Sequence, residues 1–156
     1  MPIITTRRAL LLSVPFLAGA QTLSKQPDKG PPLAADLVKD FVAAAHSNLD
    51  KTKALLAETP ALLNATWDWG GGDFETGLGG ASHMGNRAIA EFLIGQGARA
   101  DIFAAAALGH LEIVKALVAA FPGIEKSLGP HKIPLLAHAE RGKAENVREY
   151  LQSLKS

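Results

Sequence analysis

The stretch Ala105–Val118, AAALGHLEIVKALV, decides the architecture. Three alanines and Leu108 lead into Gly109-His110, and apolar residues then return at Ile113, Val114, Leu117 and Val118. That is helical spacing, with Gly109 as the turn between two short helices. Phe121-Pro122-Gly123 closes the second helix. A helix pair of this size cannot bury its own apolar face. It needs neighbours of the same kind, so the rest of the chain has to be searched for repeats.

The same unit recurs in both directions. Between Asp36 and His46, Leu37, Val38, Phe41, Val42 and Ala45 form an apolar stripe. Asn48 is placed to cap a following helix that carries Leu49, Thr52, Leu55 and Leu56 and stops at Thr59-Pro60. Asn86 is placed to cap a helix with Ile89, Phe92, Leu93 and Ile94, closed by Gln96-Gly97. Gly142 precedes a last one with Val147, Tyr150, Leu151 and Leu154. No stretch sustains the two-residue alternation of a sheet, so the expected fold class is all-α.

Ala105–Val118 resembles the ankyrin pattern A-A-x-x-G-H-L-E-I-V-K-x-L-L over nearly all of its length. Ile133–Gly142, IPLLAHAERG, is similar to the family's T-P-L-H-x-A-A-x-x-G. More divergent units run from Glu75 to Gly85 and from Ala43 to Asp50. The turn positions Ser47, Gly85, Gly109 and Gly142 lie 38, 24 and 33 residues apart, against a family period of about 33. The short interval runs Gly97–Ile102 straight into the next helix, with no room for a projecting finger. The long interval enlarges the finger at Asn64–Phe74, NATWDWGGGDF. The resemblance implies an ankyrin-repeat solenoid of about four helix-turn-helix units over residues 35–156, with an enlarged loop between units one and two.

The chain has 156 residues, 16 basic and 15 acidic side chains, and no cysteine. Disulfides, thiolate metal sites and cysteine nucleophiles are excluded. A near-neutral balance without a basic stripe excludes a dedicated nucleic-acid binder. Arg7-Arg8, the apolar run Ala9–Ala20 and the small-residue ending Ala18-Gly19-Ala20 have the three parts of a secretory signal peptide. Thr6–Leu11, TRRALL, is similar to the bacterial twin-arginine export motif. Residues 1–20 are expected to be removed and 21–34 to form a flexible, Pro-rich leader. The product is expected in the periplasm or outside the cell, with no membrane anchor. Removing Arg7 and Arg8 leaves 14 basic against 15 acidic side chains, a formal net charge of −1.

Chemical motifs are few. Gly70–Gly72 and Gly77–Gly80 lack the G-K-[ST] ending of a phosphate loop, and loop backbone with positive φ is the better account of them. Neither G-x-S-x-G nor H-E-x-x-H occurs, and no motif calls for a cofactor. Of the five histidines, His110 and His138 fall at positions read as structural, and His131 receives no role. The resemblance places the two variable residues of A-A-x-x-G on the concave, partner-facing side. These are Ala45 and His46, His83 and Met84, Ala107 and Leu108, and Glu140 and Arg141. Trp67-Asp68-Trp69 puts both tryptophans in the enlarged finger, where such side chains serve as binding anchors or as packing. One tryptophan is expected to face inward and the other outward. The expected function is a non-catalytic protein-interaction module that binds an unidentified protein through His46, Trp67, Asp68, Trp69, His83, Met84, Leu108, Glu140 and Arg141. The alternative is a metal- or small-ligand-binding protein or enzyme. It would use the Gly-rich insert and His46 with His83, joined by Asp68, Asp73 or Glu75.

Overall fold

The structure is a computed structural model, and it describes residues 29–154. The expected signal peptide and most of the expected leader lie outside the described residues. The chain from Pro32 onward forms one compact unit. It is mostly helical, with eight α-helices and one small hairpin among the described residues. No helix there is long and apolar enough to cross a membrane.

The helices come in four pairs. They are α1 (Ala35–Ala44) with α2 (Leu49–Glu58), α3 (Gly77–His83) with α4 (Arg87–Gly95), α5 (Ile102–Leu108) with α6 (Leu111–Ala120), and α7 (Leu135–Arg141) with α8 (Glu145–Ser153). The first helices of the pairs stack in sequence, α1 on α3, α3 on α5 and α5 on α7. The caps expected from the sequence form. The Asn48 side chain accepts from the Lys51 N–H, and that of Asn86 from the Ile89 N–H. Asp101, which was not singled out, caps α5 by accepting from the Ala104 N–H at 2.8 Å. Each cap satisfies an N–H that the helix itself leaves without a partner.

Packing explains the composition of the inner row. Ala104, Ala105, Ala106 and Ala107 of α5 are all buried, and small side chains let neighbouring helices approach closely. Glycines complete the fit at the turns. A Cβ on Gly142 would overlap the Ala107 carbonyl, and one on Gly85 would overlap that of Arg141. Phe41, Val42, Leu62, Leu78, Ile89 and Leu93 anchor one core cluster, and Val114, Leu135, Val147 and Leu151 anchor a second.

The enlarged finger is a hairpin, a local departure from an all-helical chain. Strand β1 (Thr66–Asp68) pairs antiparallel with β2 (Phe74–Thr76), with Trp67 opposite Glu75. Gly70, Gly71 and Gly72 turn the tip with φ of 130°, 64° and 86°, which side-chain-bearing residues adopt only under strain. The second glycine cluster corrects the expectation of a loop with positive φ. Gly77, Gly79 and Gly80 lie within α3. Two of them are crowded by α1 and the residues just after it: a Cβ on Gly77 would meet the Phe41 ring at 2.9 Å, and one on Gly80 the His46 ring at 2.8 Å.

Candidate functional site

Four ligand-type side chains converge where the finger meets the inner helices. His46 follows the end of α1, Glu75 is the middle residue of β2, and His83 closes α3. His131 comes from the turn between α6 and α7. One potential ligand atom from each lies within 4.8 Å of all the others. The segments are far apart in sequence, and the stacking of the helix pairs brings them together.

Glu75 is the centre of the group. Its side chain is fully buried, although it is ionisable. Oε2 accepts from the Trp69 indole N–H at 2.7 Å and lies 3.2 Å from His46 Nε2 and 3.4 Å from His131 Nε2. Oε1 lies 2.9 Å from His83 Nε2, yet it has no hydrogen-bond partner. Burial pushes the Glu75 pKa up. The neighbouring His46 and His83 imidazoles and the Trp69 N–H more than offset this and hold it well below the usual carboxylate range. His46 moves the other way: its contact with Glu75 raises its pKa, against the opposing effect of burial.

Two imidazoles have their tautomers fixed by what their other nitrogen touches. His46 Nδ1 lies 2.9 Å from the Val42 carbonyl oxygen, which can only accept, so Nδ1 carries the proton. His131 Nδ1 lies 2.7 Å from Asp73 Oδ2 and donates to that carboxylate. In the neutral ring both Nε2 atoms therefore present lone pairs to Glu75. The two rings' Nε2 atoms at His46 and His83 are themselves only 3.1 Å apart. Lone pairs and carboxylate oxygens at such distances repel one another. A proton on His83 Nε2, a charged imidazole or a metal ion each relieves this repulsion, and a metal ion relieves it at all three rings at once.

Aromatic rings border the cluster. Trp69 stands edge-on to His46, with ring centroids 6.0 Å apart, and 6.1 Å from His131. Solvent reaches the group unevenly: the side chains of Glu75 and His83 are 0% and 6% exposed, against 20% for His46 and 34% for His131.

The residues expected on a partner-facing surface separate into different roles. His46 and His83 meet, as the repeat register implied, and Glu75 is the carboxylate that joins them. Leu108 is 7% exposed and belongs to the first core cluster, so it offers little to a partner. Asp68 closes the finger tip, its Oδ1 accepting from the N–H groups of Gly70 and Gly72. Trp67 is half-buried against the core, whereas Trp69 is exposed. Met84, Glu140 and Arg141 are exposed, and Arg141 donates to the His83 carbonyl oxygen at 2.9 Å. His138 is fully buried, and desolvation depresses its pKa, which suits a neutral packing group. His131 is the site residue that the sequence reading left without a role. It lies in the turn just before α7, and no motif or spacing in the sequence marks it as a ligand. No protein-family model and no curated protein matches the chain.

Proposed function

We propose that this chain is an ankyrin-type solenoid that holds one divalent transition-metal ion through His46, Glu75, His83 and His131. Four stacked helix pairs, with glycines at three of the inter-helix turns, support the solenoid assignment. One observation carries the metal assignment: a buried carboxylate faces three imidazole nitrogens, two of which, on His46 and His131, present lone pairs inward in the neutral ring. Three imidazoles and one carboxylate are borderline donors, suited to zinc, iron, manganese or cobalt rather than to calcium or magnesium. The ion would also satisfy Glu75 Oε1, a buried acceptor without a hydrogen-bond partner. The exposed His131 side gives the centre access to solvent, as in sites that exchange ligands.

Titration of the metal-free full chain with Zn(II) and Co(II), followed by calorimetry and visible absorption, tests this assignment. One ion per chain is expected, with binding lost in Glu75→Gln and in His83→Ala. Failure of the folded wild-type chain to bind Zn(II), Co(II), Mn(II) or Fe(II) at millimolar concentration overturns it.

A second reading, the docking of a protein partner on the same face, rests on exposed apolar side chains near the centre. Phe74 is 61% and Met84 52% exposed, and such groups at a concave rim are candidates for contact. Unchanged partner capture by a Phe74→Ala, Met84→Ala double variant would remove this reading. Export to the envelope is supported by the Arg7-Arg8 and Ala18-Gly19-Ala20 pattern. Purified exported protein is then expected to begin near Gln21.

A further inference from the structure

Asp73 takes no place among the four ligands, yet it makes the most specific long-range contact of the finger. It lies two residues before Glu75, and its carboxylate reaches a turn 58 residues away. Oδ2 accepts from His131 Nδ1 at 2.7 Å, and Oδ1 accepts from the His131 backbone N–H at 2.8 Å. One carboxylate thus grips both the ring and the main chain of the same residue.

The main chain at that point is unusual. His131 and its neighbour Lys132 both have φ of 57°. Two consecutive non-glycine residues in the left-handed region cost free energy and persist only where surrounding contacts hold them. The turn has further supports in the Gly129 N–H, which donates to the Ile133 carbonyl oxygen at 2.9 Å, and the bridge of Leu128 with Pro134. The Asp73 carboxylate hydrogen-bonds this turn to the hairpin through both the ring and the main chain of His131. With Nδ1 committed to Asp73, Nε2 of His131 is left facing Glu75.

We propose that Asp73 is a positioning residue of the metal centre. It fixes the tautomer of His131 and the left-handed turn that carries it, so that the fourth ligand is in place before the ion arrives. This rests on the metal assignment above. Carboxylates that hold the distal nitrogen of a ligating histidine orient the ring and raise its donor strength, and losing one typically weakens metal binding about 10- to 100-fold.

The test is a double-mutant cycle on the full chain with Co(II) as probe. Asp73→Asn keeps the size of the side chain and can still accept from the His131 N–H. It is expected to weaken Co(II) binding about 10- to 100-fold and to alter the visible spectrum. In a His131→Ala background the same substitution is expected to change Co(II) affinity less than about twofold, because its effect passes through the missing ring. A second measurement needs no metal. Imidazole nitrogen NMR of the metal-free chain is expected to show His131 as the pure Nδ1–H tautomer in the wild type and as a mixture in Asp73→Asn. Wild-type affinity in Asp73→Asn, or an equal loss with and without His131, overturns the proposal. So does an unchanged tautomer. If the wild type binds no Co(II), the metal assignment itself fails, and the NMR result still decides whether Asp73 sets the ring.

Discussion

His46 shows how one side chain depends on an absent one. Its ring occupies the space that a Cβ on Gly80 would need, so the glycine in α3 is a condition for the histidine after α1. Gly80→Ala should raise intrinsic helix propensity by about 1 kcal/mol. The Cβ contact at 2.8 Å should more than cancel this, with overpacking costing about 1–3 kcal/mol. Urea unfolding should show no net gain, and Co(II) titration should show weaker binding as the ring is displaced. The ion pair at Glu75 gives a pH signature in the metal-free protein. The His46 pKa is raised from 6.5, so the stability it contributes is complete below 6.5 and lost as pH rises through the raised value. The Glu75 pKa is lowered from 4.5, so its contribution is present above 4.5 and lost as pH falls toward the lowered value. The pair should stabilise most between about 4.5 and 6.5. The difference in Tm between wild type and Glu75→Gln, followed across pH without metal, should peak there. Metal reverses the high-pH limb. An ion needs His46 unprotonated, so Co(II) affinity should rise with pH through the range in which His46 loses its proton.

At the scale of elements, the inner helices and the hairpin were legible to different degrees. The helix pairs follow from apolar spacing, Asn caps and glycine turns, and the structure places helices at all of them. The finger was expected from its length alone. That it is a hairpin with Trp67 opposite Glu75 follows from the three tip glycines and from Asp68, which ties the tip together. The GLGGAS stretch was misread because glycine has two uses. One is positive φ, which Gly70–Gly72 show. The other is close approach, which applies in α3 and depends on a partner helix 36 residues earlier, at Phe41 for Gly77. The same logic fixes Gly142, whose φ is −73° and would suit any residue. Its constraint is steric, since a Cβ would overlap the backbone of Ala107. Gly142→Ala is therefore expected to destabilise by about 3 kcal/mol, the upper end of overpacking costs. A matched Gly95→Ala, at a helical glycine with nothing within 4 Å, should be neutral or stabilising. Urea midpoints of the two variants check the contrast.

For the whole molecule, the candidate centre links the first two helix pairs to the turn that precedes the fourth. Its ligands come from units one and two and from the turn that leads into unit four. In the proposed solenoid, stability would be nearly a sum of units and nearest-neighbour interfaces, so a shared ion would add a contact of longer range. At free Zn(II) a hundredfold above its Kd, the gain is about 2.7 kcal/mol. Thermal melts should rise by several degrees with Zn(II) and return on adding a chelator. The shift should vanish in Glu75→Gln.

The amino-acid sequence by itself determined the helix pairs, the Asn48 and Asn86 caps and the long finger, because each depends on residues within a turn or two of one another. The expected repeat register also set His46 near His83, and the structure brings their Nε2 atoms to 3.1 Å. Only the tertiary structure chose Glu75 over Asp68 and Asp73 as the central carboxylate and brought His131 into the group. Those choices depend on which way a strand's side chains point and on a left-handed turn gripped by Asp73 from another unit, and no local preference encodes either.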